Sequence, residues 1–157
     1  MNIRNAEKKD IPKIMDLLMQ VHDIHSEWRP DIFIEGITKY SPEEVEKIMS
    51  SDSSPIYVAV DEEDNVVGYA FCIISWSDGG KSMTKLKTMY LDDLCVDEKY
   101  RNQGIGRQLF DYVYNKAKEF GCYHVTLNVW TLNHKARDFY ESCGMSPMKV
   151  VMEKIIK

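Results

Sequence analysis

Apolar residues near the start of the chain recur at Ile11, Ile14, Met15, Leu18 and Val21, the spacing of a single helix face. Asp10 stands where an N-cap belongs, and Pro12 fits a first turn, whose N–H groups have no partner inside the helix. The pattern predicts a helix that stops ahead of Pro30 in HSEWRPDIF (25–33), since proline drives the residue before it out of the α region. A short strand over Asn2–Asn5 precedes it. A second short helix opens at SPEE, with Ser41 as cap and Glu44 three residues on, the reciprocal pairing that satisfies two orphan N–H groups.

After residue 54 the texture changes. PIYVAVD (55–61) and VVGYAFCIISW (66–76) are rich in β-branched and aromatic residues, and EEDN between them reads as a hairpin turn. DGG (78–80) marks another turn, and MTKLKTMYLDDLCV (83–96) reads as a long strand. A helix follows with Ile105, Leu109, Val113, Ala117 and Phe120 on one face, and Gly121 stands where a left-handed residue ends it. CYHVTLNVW (122–130) alternates as a strand, NHKARDFYESCG (133–144) is a short helix, and MKVVMEKII (148–156) is a final strand. Hairpins come first and helix crossovers later, which predicts an α/β or α+β fold on a mixed sheet. No repeat or linker divides it, so one domain is expected over residues 1–157.

Composition narrows the partners. The start, MNIRNAEKKD, lacks the apolar stretch of a signal peptide, and the longest dense apolar run (66–74) is too short for a bilayer. A cytoplasmic protein with no membrane partner is the expectation. A net charge of −5 argues against nucleic acid and suits a cationic small molecule. Cys72, Cys95, Cys122 and Cys143 are scattered without a CxxC pair, and His124 and His134 lack ligand spacing, so no metal and no disulfide framework is expected. Acidic residues gather at Asp92, Asp93, Asp97 and Glu98, the last two read as solvated surface.

The stretch RNQGIGR (101–107) lies between a predicted strand and a predicted helix. A dinucleotide fingerprint would need glycine where Leu109 stands, and a Walker A loop would need Gly-Lys-Ser/Thr, which is absent. What remains is R-x-x-G-x-G, whose glycines let the backbone approach a pyrophosphate that free N–H groups and the positive helix end would hold. Arg101 and Arg107 add charge-assisted donors. The alternative is a plain strand-to-helix turn.

Downstream, Leu127-x-Val129-x-x-x-Asn133-x-x-Ala136-x-x-Phe139-Tyr140-x-x-x-Gly144-Met145 has a distinct spacing. Together with LDDLCVDEKYRNQGIG (91–106) it closely resembles the GNAT superfamily of acyl-CoA-dependent N-acyltransferases. The resemblance runs from the first strand to the last and is most specific in residues 91–110 and 127–145. It implies a mixed, mostly antiparallel sheet flanked by helices, whose neighbouring parallel strands, here 83–96 and 122–130, splay apart so that donor and acceptor meet in the gap. It implies acetyl-CoA as donor, with the backbone of Leu94, Cys95 and Val96 pairing with the pantetheine arm. Arg101, Asn102, Gln103, Gly104, Ile105, Gly106 and Arg107 would cradle the pyrophosphate. Asn133 would reach the pantetheine, Ala136 would be small enough to admit it, and Tyr140 would be the general acid beside the sulfur.

Direct attack on a thioester requires the amine to lose a proton, and a leaving thiol is helped by a donor such as tyrosine, whose ordinary pKa is about 10. An N–H near Val96 can polarise the thioester carbonyl. No covalent enzyme intermediate is required, so Cys95 and Cys143 need no nucleophilic role. Asp92 and Asp93 are the base candidates. Adjacent strand residues face opposite ways, and a bulge in this strand, which the resemblance implies, blurs which one enters the gap. YLDDLCV is also similar to a stretch of diamine and polyamine acetyltransferases in which the first acid lies near the acceptor. That favours Asp92 as base and leaves Asp93 among the substrate-binding residues, the alternative being two solvated carboxylates. Trp28, Phe33 and Trp130 line an acceptor pocket or pack the core, and Asn128 holds a water or is simply a polar strand position. His22 and His25 have surface or packing roles. The expected activity is acetyl transfer to a primary amine, either a small cation (diamine, polyamine, aminosugar or amino-acid derivative) or a protein N-terminus or lysine. A non-catalytic acyl-CoA-binding module is the alternative from another class. The sequence leaves a homodimer open.

Overall fold

The computed structural model describes residues 1–77 and 79–157. Five strands, β1 (Asn2–Asn5), β2 (Ile56–Val60), β3 (Val66–Trp76), β4 (Lys87–Val96) and β5 (His124–Thr126), form one sheet in that order. Among the described residues only β4 and β5 run parallel. The helices are α1 (Ile11–Trp28), α2 (Pro42–Met49), α3 (Ile105–Glu119) and α4 (His134–Ser142), with 3-10 turns at Lys8–Asp10 and Glu98–Tyr100. Among the described residues no helix is long and apolar enough to cross a membrane.

The sheet is covered on both faces, which explains why β2 and β3 read as nearly continuous apolar runs. In β2, Ile56, Val58 and Val60 pack with Ile14, Leu17 and Leu18 of α1 and Val45 of α2. Tyr57 and Ala59 point the other way, toward Leu109, Phe110 and Val113 of α3. Each fully buried side chain of this kind contributes about 1.5–3 kcal/mol relative to exposure. The hairpin between β2 and β3 closes at Asp61, whose carboxylate accepts from the N–H groups of Glu63 and Asn65. The Ser41–Glu44 capping box forms as the sequence implied.

Several expectations are corrected. Asp10 precedes α1 but does not cap it with its side chain. It is buried, bridging Arg4 of β1 through two bonds of 2.7 and 3.1 Å and accepting from the N–H of Glu7. Asp97 is buried as well, held by the Lys13 ammonium and the N–H of Lys99, so it locks α1 to the end of β4. Phe120 lies past the end of α3 and is exposed, outside the apolar stripe. The strand over 83–96 begins only at Lys87, and the strand over 122–130 contracts to His124–Thr126. The turn assigned to 78–80 falls, at Asp78, outside the described residues.

The largest departure is at the end of the chain. Residues 148–156 form no strand, and Val151, Met152 and Ile156 are 89 %, 85 % and 93 % exposed. Strand composition alone makes no strand without backbone pairing, and residues 146–157 make no backbone hydrogen bond to the rest of the described chain.

Gly68 marks the tightest approach between layers: a Cβ there would lie 2.9 Å from the Cys95 carbonyl oxygen and 3.1 Å from Leu109 Cδ1. The first of these neighbours is backbone and cannot swing away. Gly68→Ala is expected to lower stability by about 1–3 kcal/mol through overpacking. Urea unfolding checks this, with a lower midpoint and an unchanged slope.

Candidate active site

Strands β4 and β5 pair only at Thr88–His124, Met89–Val125 and Tyr90–Thr126. Beyond these, β4 runs on to Val96 while β5 ends, so the flank of β4 over residues 91–96 has no strand beside it. Asn128 spans the mouth of this opening, its Nδ2 donating to the Tyr90 hydroxyl at 3.1 Å.

The opening begins at a bulge. Phe71 of β3 lies opposite Asp93, and its neighbour Cys72 lies opposite Leu91, so Asp92 has no partner on β3. The extra residue changes which face each carboxylate meets. Strict alternation would send Asp92 and Asp93 to opposite faces, yet both find partners on the α1 side. Asp92 accepts from Tyr40 Oη at 2.6 Å and from Lys39 Nζ at 2.8 Å, and the Tyr40 ring stacks on Phe71. Asp93 accepts from Tyr69 Oη at 2.7 Å. Burial pushes the Asp93 carboxyl up to about 6, against the opposing pull of the Tyr69 hydrogen bond and the Lys39 charge. The same burial holds the Tyr40 and Tyr69 phenols well above their ordinary range.

Three residues of this cluster, Lys39, Tyr40 and Tyr69, carried no signal in the sequence. Lys39 and Tyr40 lie more than fifty residues before their carboxylate in an irregular segment, and only the fold joins them. Tyr69 was visible as a strand residue, but its link to Asp93 depends on the bulge.

Tyr140, on α4, packs with Phe110 and Phe139. Burial raises its phenol above the ordinary range, and the nearby Asp93 charge adds to this. Cys95 itself points into the α1 face, where burial pushes its thiol up to about 12. Leu94 and Val96 turn to the α3 face, and Asn133 caps α4, its Oδ1 accepting from the Ala136 N–H at 3.2 Å.

Residues 101–107 form the turn into α3. Asn102 and Gly104 both adopt the left-handed region, with φ of 64° and 78°. Gln108 donates the first helical bond, to Gly104, so the N–H groups of Ile105, Gly106 and Arg107 lie ahead of it, and no side chain caps them. Arg101 donates to the Val96 carbonyl at 3.2 Å, and Arg107 reaches Asp111 and the Ser142 carbonyl.

On the other side of the opening, Phe33 meets Trp130 edge to face at 5.2 Å, and His25 packs on both Trp28 and Phe33. Trp28, Phe33 and Trp130 line a small open pocket with His25, Arg29, Thr131 and Leu132.

The profile of the acetyltransferase (GNAT) family matches residues 18–145. The chain belongs to this family. A solved structure of a mutant BH1408 protein from Bacillus halodurans is similar across 100 % of both chains, at 32 % identity and a TM-score of 0.95. Glucosamine 6-phosphate N-acetyltransferase of Arabidopsis thaliana is 32 % identical over 68 residues, 43 % of this chain and 44 % of that protein. Thialysine N-epsilon-acetyltransferase of Bos taurus is 35 % identical over 79 residues, 50 % of this chain and 44 % of that protein. The chain spans less than half the length of these curated relatives.

In this GNAT chain Asp93 is costly in its ionised form. Its folded-state pKa of about 6 lies above the value of an unfolded aspartate, so the parent gains stability as pH falls from about 6 toward 4. Asp93→Asn removes that ionisation and is expected to stabilise the fold at pH 7 by about 1–3 kcal/mol. The difference from the parent should close near pH 4. Urea unfolding of both proteins at the two pH values checks the sign.

Proposed function

We propose that this GNAT chain transfers the acetyl group of acetyl-CoA to a primary amine on a small molecule that carries a further positive charge. The observation that carries this reading is the pair between Lys39 and Asp92, in which a primary ammonium already rests on a carboxylate beside Asp93. The net charge of −5 favours approach of such a cation. Both curated relatives are named for acetylating an amine on a small molecule, an aminosugar phosphate in one and thialysine in the other, and thialysine carries a second amine as the proposal requires.

The residues present fit CoA. A Cβ on Gly104 would meet nothing within 4 Å, and the uncapped N–H groups that follow face an anion with the positive end of α3. The unpaired flank of β4 over 91–96 offers backbone groups to an extended amide-bearing arm. Acetyl-CoA, when bound, supplies an activated acetyl carbon and a thiol leaving group.

Asp93, with its pKa near the working pH, is mostly ionised at neutrality and accepts the proton of the attacking amine. Asp92 anchors a second cationic group, with Tyr40 fixing its orientation. The roles of the two carboxylates are thus reversed from those drawn from the strand sequence. As the new C–N bond forms and the C–S bond breaks, Tyr140, kept protonated by its burial, gives its proton to the departing sulfur.

Thiol release from acetyl-CoA with a panel of amines tests the assignment. Diamines and basic amino acids are expected to be turned over faster than a single-amine aminosugar or a peptide bearing only a free N-terminus. Turnover of peptides alone would make the chain a protein acetyltransferase. Calorimetric binding of CoA with no thiol release from any amine would make it a binding module.

Two substitutions separate the steps. Tyr140→Phe keeps the ring packing and removes the proton donor, and is expected to slow single-turnover acetyl transfer by about 10²–10⁴-fold with CoA affinity unchanged. Gly104→Ala places a methyl group in the open turn at a positive φ, where it costs about 1–2 kcal/mol of strain. It is expected to weaken CoA binding, measured calorimetrically, while the folded spectrum is retained.

A further inference from the structure

We propose that Lys39 is itself an acetyl acceptor: the chain moves one acetyl group from its own bound acetyl-CoA onto the Lys39 side chain. This rests on the acetyl-transfer reading of the site and adds a modification site to it. Lys39 Nζ lies 2.8 Å from Asp92 Oδ1, on the flank of β4 that has no strand beside it. Among the described residues no other lysine forms an ion pair with that flank; Lys8, Lys9, Lys13 and Lys116 meet carboxylates elsewhere. A primary amine of the chain therefore stands where a primary amine is to be acetylated.

The pair is also easy to open. The Lys39 side chain is 47 % exposed, so its ammonium is hydrated again as soon as it leaves. Asp92 keeps the Tyr40 hydroxyl at 2.6 Å, so its carboxylate is not left without a hydrogen bond. Lys39 sits in the irregular segment between α1 and α2, and its stem is long and flexible enough to turn along the opening. Beside the burial that lifts the Asp93 carboxyl to about 6, the Lys39 charge acts on that group in the opposite sense. The Asp93 charge in turn adds to the burial that raises the Tyr140 phenol. Amine, base and acid thus belong to one electrostatic neighbourhood.

The Lys39 ammonium gives one proton to Asp93, which passes it to solvent. The free nitrogen attacks the thioester carbonyl, the C–N bond forms and the C–S bond breaks. Tyr140 protonates the departing sulfur and regains a proton from the second N–H of the attacking nitrogen through solvent. The products are CoA thiol, one released proton and a neutral amide on Lys39, which no longer forms an ion pair with Asp92. Each chain undergoes this once, because the product stays attached.

The full chain is incubated with acetyl-CoA carrying an isotopically labelled acetyl group and no added amine, then followed by intact mass and peptide mapping. One label per chain on Lys39 is expected, at a first-order rate that does not change with protein concentration, since the amine is tethered. Tyr140→Phe is expected to slow labelling of Lys39 by about 10²–10⁴-fold, whereas chemical acetylation of surface lysines is indifferent to it. Lys39→Arg is expected to abolish this label without moving it to another lysine. Free amines acetylated while Lys39 stays unlabelled overturns the proposal and leaves the proposed function standing. Labelling of Lys39 with no turnover of any free amine supports the proposal and defeats the small-molecule reading. Lys39 labelled as fast in Tyr140→Phe as in the parent, or at a rate that rises with protein concentration, overturns it.

Discussion

One extra residue in β4 organises the rest of the site. Asp92 is opposite nothing on β3, and the chain accommodates it as a bulge, which bends a strand and increases its local twist. The parallel pairing of β4 with β5 stops at Tyr90, two residues before the bulge. From that point β4 has one neighbour, and its free flank, its two carboxylates and the turn into α3 all belong to the same opening. Without the insertion, alternation would place one carboxylate in the α3 core.

The surrounding packing is what lets this opening exist. Buried apolar layers on both faces of β2 and β3 fix the strands that β4 pairs with. Two buried aspartates outside the site hold the helices to the sheet. Asp10 joins β1 to the start of α1 through Arg4, and Asp97 joins the end of β4 to α1 through Lys13. Truncating one partner of such a pair would leave a desolvated charge, which costs more than the pair contributes. Within the site the same burial raises the proton affinity of Asp93, so holding that carboxylate ionised there costs part of the fold's stability.

Elements set by local pattern were legible in the sequence. The α1 and α3 stripes, the Ser41–Glu44 box, the β2–β3 hairpin and the glycine turn at 104–106 rest on contacts close along the chain, and the spacing of apolar and capping residues encodes them. The separation of β4 from β5 came through resemblance to a family, since nothing in MTKLKTMYLDDLCV states where a neighbouring strand will leave. The partners of Asp92 and Asp93 were out of reach for a different reason. Lys39 and Tyr40 belong to no periodic element, so only the folded chain brings them to β4. Asp97 was misread because a charge run gives no sign of the lysine 84 residues away that neutralises it. The terminal strand was misread because propensity describes what a segment can do, while a strand exists only where its backbone is paired, and residues 146–157 are not paired within the described chain.

If Asp92 receives the acceptor as proposed, the Lys39 ammonium that rests on it makes the protein its own competitor. A tethered group of this kind acts at an effective concentration on the order of millimolar, and any cation that uses Asp92 must displace it. Under the proposed function, amines that offer the carboxylate one weak contact would lose that competition. Those that gain a second contact on the aromatic cluster of Trp28, Phe33 and Trp130 would, under the same proposal, win it. On that proposal an internal lysine sets a threshold for entry, and the threshold would fall with any change that loosens residues 29–41 from the sheet.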